Sequence, residues 1–122
     1  KNMKAILIDV IKQEIKEVIH DDTLESIYKF VDCRAFDVVN IDQENTLYVD
    51  DEGLFVEDQL FFEYSGDTGN KVQLAGNSLL LGYNRNGETI EPSLTLEHVK
   101  SKVTFLPKGF DISPSMGFTT WD

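Results

Sequence analysis

Met3-Lys4-Ala5-Ile6-Leu7-Ile8-Asp9-Val10, then Glu14-Ile15-Lys16-Glu17-Val18-Ile19, then Asp21-Asp22-Thr23-Leu24-Glu25-Ser26-Ile27-Tyr28-Lys29-Phe30-Val31 is the stretch that decides the fold. In the first piece Ala5–Ile8 is continuously apolar, which reads as a strand over Lys4–Val10. The second piece alternates apolar and polar residues and reads as a second strand over Glu14–Ile19. Ile11-Lys12-Gln13 would turn the chain between them, although it holds no Gly or Asn. The third piece opens as a helix: Asp22 is placed to cap the first turn, with Glu25 three residues on at capping-box spacing. Leu24, Ile27, Tyr28 and Val31 then recur at i, i+3, i+4 and i+7, one apolar stripe ending near Asp32 or Cys33. A helix of about ten residues is marginal alone and needs a sheet to lie on.

Outward from this unit, short strands dominate. Phe36–Ile41 and Thr46–Val49 read as strands around the turn Asp42-Gln43-Glu44-Asn45. Asp50-Asp51-Glu52-Gly53 turns the chain again, with Gly53 available for a positive φ. Leu54-Phe55-Val56 is compatible with a strand or with the first turn of a helix. Leu60–Tyr64 reads as extended and Ser65–Asn70 as a loop. Val72–Ala75 and Ser78–Tyr83 are strand-like, and Asn84-Arg85-Asn86-Gly87 is a hairpin signal suited to a type I′ turn before Thr89-Ile90. Ser93 or Thr95 can cap a second short helix carrying Leu96, Val99 and Val103. Val103–Leu106 returns to strand until Pro107 stops it. From about 108 to 122 the chain reads as an irregular tail, apolar enough to pack on the body. The expected fold is a single α+β domain over residues 1–122, a mostly antiparallel sheet with two short helices.

The charge is uneven. The chain of 122 residues holds 11 Lys and Arg against 22 Asp and Glu, a formal net charge of −11. Between Ala35 and Asn70 there is no base, yet ten acids lie there: Asp37, Asp42, Glu44, Asp50, Asp51, Glu52, Glu57, Asp58, Glu63 and Asp67. Such a balance argues against direct nucleic-acid binding, which needs Lys and Arg to neutralise phosphates, and against docking on anionic lipid. The ordinary reading of the acidic stretch is a solvated face that aids solubility. The sharper reading is a surface that meets a basic partner protein, one that normally holds DNA among them. Leu47, Val49, Leu54, Phe55, Val56, Leu60, Phe61 and Phe62 are interleaved with the acids, which argues against disorder. Phe55, Phe61, Phe62 and Tyr64 are then either core or an apolar patch ringed by acid, and the latter is a protein-binding surface.

Other chemistries leave little trace. Asp50-Asp51-Glu52-Gly53 lacks the alternating spacing and distal Glu of a calcium loop. One cysteine and two distant histidines do not make a zinc site; no metal or cofactor is expected. Cys33 ends a helix, the wrong end for thiolate stabilisation, and is expected in the core. His20 and His98 are expected at the surface, and an enzyme would need one of them in a pocket beside acids. Gly76-Asn77-Ser78-Leu79-Leu80-Leu81-Gly82 has neither dinucleotide nor Walker spacing and reads first as a turn into a buried strand. Its functional reading is a backbone cradle for an anion, with Asn77 and one of the two arginines, Arg34 or Arg85, supplying donors. Each arginine is otherwise expected in a surface ion pair. Ala5–Ile8 is cut by Asp9, so no leader peptide is expected, and Met3 is the expected natural start. A lone Cys33, unable to form an internal disulfide, fits a reducing cytosol.

Four stretches together are similar to one family: Met3-Lys4-Ala5-Ile6-Leu7-Ile8-Asp9, Asp22-Thr23-Leu24-Glu25-Ser26-Ile27-Tyr28, Thr46-Leu47-Tyr48-Val49-Asp50-Asp51-Glu52-Gly53 and Leu74-Ala75-Gly76-Asn77-Ser78-Leu79-Leu80-Leu81-Gly82. The chain resembles the small proteins catalogued as domain of unknown function 3846, from about Met3 to about Leu106. The resemblance implies no catalytic residues. It implies a setting among phages, plasmids and other mobile elements of bacteria, where small acidic proteins often work by binding.

The leading expectation is therefore a cytoplasmic, non-enzymatic accessory protein of a phage or mobile element. It would bind a host protein with a basic surface through Asp50, Asp51, Glu52, Glu57 and Asp58, in the manner of a DNA mimic or a counter-defence protein. The alternative is a protein that binds or sequesters a nucleotide-like small molecule through Arg34, Asn77 and Arg85.

Overall fold

The computed structural model describes residues 1–110. The strands are β1 (Met3–Asp9), β2 (Glu14–His20), β3 (Phe36–Asn40), β4 (Asn45–Asp50), β5 (Phe61–Ser65), β6 (Lys71–Ala75), β7 (Ser78–Tyr83), β8 (Thr89–Ile90) and β9 (Val103–Phe105). The helices are α1 (Leu24–Val31) and α2 (Leu96–Lys102), and a single 3₁₀ turn spans Gly53–Phe55. Every strand pairing is antiparallel. The large sheet runs β2-β1-β7-β4-β3 with β8 added to β7, and a smaller sheet runs β6-β5-β9. The chain is thus an α+β fold, but its strands form two sheets rather than one.

The large sheet is the middle layer. Its side chains alternate between two cores, as the two-residue period of a strand requires. Ile6, Ile8, Leu47, Val49 and Leu80 face the small sheet, meeting Phe62 and Tyr64 there and Val99 of α2. Met3, Ala5, Leu7, Leu79 and Leu81 face the other way, onto Ile27 and Val31 of α1. Burial on both faces explains why Ala5–Ile8 and Leu79–Leu81 are continuous apolar runs. On the helix side Tyr28, Phe36 and Tyr48 form a chain of rings with centroids 5.6 and 5.3 Å apart.

Polar side chains close the turns. Asp9 Oδ1 accepts from the Ile11 and Lys12 N–H groups at 3.0 Å and so makes the first hairpin without Gly or Asn at its tip; Gln13 takes the positive φ. Asn45 is fully buried: its Nδ2 donates to Asp42 and to Ser93 Oγ, and its Oδ1 accepts from Ser93 N–H. That network ties the β3–β4 turn to the segment entering α2. Gly82 lets the Glu91 backbone cross directly over β7.

Several expectations are corrected. Thr23, not Asp22, caps α1, accepting from Ser26 N–H, while Asp22 takes a left-handed φ of 66° that brings Thr23 into position. Thr95, the second of the two residues considered, caps α2. His20 is buried rather than at the surface, because pairing with Met3 carries it inward to Ser26 of α1. Gly53 has no positive φ; it is required because a Cβ there would meet Ala75 at 3.1 Å. In the β7–β8 connection only Gly87 has a positive φ, so the turn is not type I′. The tail expected over 108–122 lies, beyond Phe110, outside the described residues; Phe110 itself packs edge-on against Phe61 at 5.4 Å.

Candidate functional site

The five acids expected to bind a partner run from Asp50, the last residue of β4, through the connection to β5, which carries Asp51, Glu52, Glu57 and Asp58 and is tied down at several points. Asp50 Oδ1 accepts from Glu52 N–H at 2.8 Å, and Asp51 N–H donates to Ala35 O at 3.0 Å. The 3₁₀ turn then closes through Phe55 N–H to Glu52 O and Val56 N–H to Gly53 O. Gln59 Nε2 donates to Gly53 O at 2.7 Å, and Gly53 is buried against Ala75 of β6. A backbone held at both ends displays Leu54, Phe55 and Val56 at 60, 86 and 48% exposure. Apolar side chains normally leave water when the fold offers them a place. Here three consecutive ones stand out from an anchored turn, so their exposure is imposed by the backbone.

Acids surround this tip. Asp50 and Glu52 line a depression of about 330 Å³ with Asp32, Cys33, Arg34, Phe55 and Val56. On the far side Leu54, Val56 and Asp58 line a second depression of about 550 Å³ with Phe61, Lys108 and Phe110. Asp51 and Glu57, in the same connection, are exposed. Asp51, Glu57 and Asp58 have no side-chain partner among the described residues. Other acids of the base-free stretch are occupied structurally. Asp42 holds the β3–β4 turn, Glu63 accepts from Gln73 at 2.6 Å, and Asp67 pairs with Lys102 at 3.1 Å. The hydrogen bond and charge of Lys102, then the nearby His98, hold the Asp67 carboxyl below its usual range.

Arg34 reaches into the acidic face. Its Nη2 and Nε donate to Glu52 at 2.9 to 3.2 Å, a forked pair between two groups expected to have different roles. Asn77 and Arg85 stand beyond opposite ends of β7, whose six residues span about 20 Å. Asn77 Oδ1 accepts from Val10 N–H at 3.0 Å, and Arg85 is exposed at the tip of the β7–β8 connection. The structure therefore does not gather Arg34, Asn77 and Arg85 into one cradle.

Nucleophilic chemistry has little to work with. His20 Nδ1 lies 2.9 Å from Ser26 Oγ, and both residues are buried. Burial holds the His20 imidazole below its usual pKa, against the opposing pull of Asp22 and Asp21. Burial, then the charges of Asp50 and Asp32, push the Cys33 thiol up to about 11, so it stays protonated at neutral pH. Among the described residues no three His, Cys, Asp or Glu side chains group so as to hold a metal ion, and no helix is long and apolar enough to cross a membrane.

The sequence left Phe55 open between core and an apolar patch ringed by acid; the structure exposes Phe55 and buries Phe61, Phe62 and Tyr64. An aromatic among aliphatic neighbours alone does not decide between the two; the turn anchored through Gly53 and Gln59 does. The signal for the surface reading was the acid on either side, since Asp and Glu are almost never fully buried.

A family model described as Domain of unknown function (DUF3846) matches residues 3–104, from the first residue of β1 into β9. No curated protein and no solved structure matches the chain. The matched span takes in both helices and all nine strands but for the last residue of β9, so the chain belongs to the family described as domain of unknown function 3846.

Proposed function

We propose that this chain is a non-enzymatic protein that works by binding another protein through the Leu54-Phe55-Val56 tip and the acids around it. The observation that carries the reading is Phe55, 86% exposed on a turn anchored by Gly53 and Gln59. An aromatic anchor on a rigid base suits an interface hot spot, because little conformational freedom is lost on docking. Asp51, Glu57 and Asp58 set the partner's chemistry: an apolar pocket rimmed by Lys and Arg. In the setting that the family resemblance implies, the partner is a cytoplasmic host protein and the chain an accessory of a phage or mobile element. A basic surface that normally holds DNA fits the same pattern.

The test uses three baits: the native chain, Phe55→Ser, and a charge reversal at Asp50, Asp51, Glu57 and Asp58. A partner captured by the native chain is purified and its affinity for each bait measured. Loss of about thirtyfold or more with Phe55→Ser, and an association rate that falls steeply with salt, are expected. Competition by duplex DNA would identify a DNA-mimicking face. Unchanged binding of that partner to both variants would overturn the proposal.

A further inference from the structure

A second site lies away from the acidic tip, where the edge of the large sheet meets the small one. Val39, Asn40 and Ile41 from the end of β3, Tyr64 of β5, and residues from Gly66 to Val72 enclose a groove of about 170 Å³. Tyr64 is only 3% exposed, yet its hydroxyl has no hydrogen-bond partner among the described residues. Among the described residues no side-chain polar atom sealed from solvent lacks a partner, so the hydroxyl keeps some contact with solvent, and the groove that Tyr64 lines is the nearest opening described. A hydroxyl left to solvent on an otherwise buried side chain is free to bond a ligand, because no protein group competes for it among the described residues.

The groove's dimensions and lining select its occupant. A cavity of about 150 Å³ admits one benzene ring, so this open groove of about 170 Å³ matches one six-membered ring better than a fused pair. Val39, Ile41 and Val72 supply branched apolar walls against which a flat ring packs. The Tyr64 hydroxyl both donates and accepts, and the Asn40 and Asn70 amides at the rim do the same. They match a ring whose edge alternates carbonyl and N–H. Burial, then Asp67 and Asp42, push the Tyr64 pKa up to about 12, and these same carboxylates disfavour an anion inside the groove. The ring must therefore be neutral, while exposed Lys71 at the mouth can take an anionic substituent.

We infer that the Tyr64 groove is a small-ligand site for a neutral single-ring heterocycle of the pyrimidine-base type, with any sugar or phosphate directed outward past Lys71. It is independent of the protein-binding tip, and it places small-ligand binding elsewhere than Arg34, Asn77 and Arg85.

The experiment is residue-resolved ¹H–¹⁵N NMR titration of the whole chain with uracil, uridine and uridine 5′-monophosphate, and with adenosine as the oversized ring. Millimolar binding by the three pyrimidines is expected, ordinary for a single ring, with shifts confined to residues 39–41 and 64–72 and none from adenosine. Tyr64→Phe removes only an unpartnered hydroxyl and leaves the ring packed, so it should fold as before. It should weaken uracil about fivefold to tenfold. Lys71→Ala, a surface change, should weaken the monophosphate alone. Absence of shifts at these residues with all three pyrimidines, or equal affinity in Tyr64→Phe, would overturn the inference.

Discussion

Gly82 gives the sharpest test of the packing argument. It is the last residue but one of β7 and has no positive φ, so its glycine is required by space, not by backbone freedom. A Cβ added there would press on the Glu91 carbonyl oxygen, with Glu91 C at 3.1 Å and Glu44 O at 3.2 Å. All three atoms are backbone and cannot rotate aside. Overpacking of this kind costs about 1–3 kcal/mol, and unyielding neighbours put Gly82→Ala near the top of that range. Displacing Glu91 also strains the bond that its carboxylate accepts from Lys4 N–H at 2.7 Å, worth about 1 kcal/mol. A loss of about 3 kcal/mol follows, or about 12 °C in Tm for a domain of this length. Urea unfolding followed by circular dichroism reads the free energy, with the m-value expected to hold. Gly87→Ala is the internal comparison: its φ of 80° is unfavourable for alanine but its surroundings are open, so a loss of about 1 kcal/mol is expected. If Gly82→Ala loses less than Gly87→Ala, Glu91 does not cross β7 as described.

Other outcomes follow from single groups. Asn45→Ala should cost about 2–3 kcal/mol, because Asn45 is itself fully buried and its loss removes both the acceptor of the Ser93 N–H and the donor to Asp42; a loss below about 1 kcal/mol in chemical denaturation would refute the network. The folded His20 has a lowered pKa, so the unfolded chain binds more protons as pH falls through about 6.5. Its contribution to stability is full above that pH and lost as pH falls toward the folded pKa. His20→Gln should flatten that part of the stability profile, and an unchanged slope between about pH 7 and 5.5 would count against burial. Cys33, with its pKa raised to about 11, should react with iodoacetamide at pH 8 about a hundredfold more slowly than free cysteine; labelling within a few-fold of free cysteine would contradict its placement. Phe55→Ser should leave stability within about 0.5 kcal/mol, since the ring touches little of the fold; a larger loss would give Phe55 a structural role instead.

What could be read from the linear chain was what depends on near neighbours. Alternation and apolar runs placed the strands to within about a residue or two, and the i, i+3, i+4 stripe placed α1, because both periodicities are properties of the local backbone. The ten-acid, base-free stretch was likewise visible as composition. Local chemistry was less secure where neighbours compete: Asp22 and Thr23 both offer a cap, and the choice fell to Thr23 when Asp22 took a left-handed turn.

Everything that makes a site came from contacts between distant residues. Strand order β2-β1-β7-β4-β3 and the separation of β5, β6 and β9 into a second sheet depend on which strands bury which faces. No local pattern encodes that choice. It made Phe62 core and Phe55 surface, although both lie in one acidic, aromatic stretch. The same choice paired Arg34 with Glu52, set Asn77 and Arg85 at opposite ends of β7, and opened the groove beside Tyr64. The sequence determined the elements and the charge, because these are sums over near neighbours. The tertiary structure decided which side chains remain in contact with water, because exposure is what is left after long-range burial is complete.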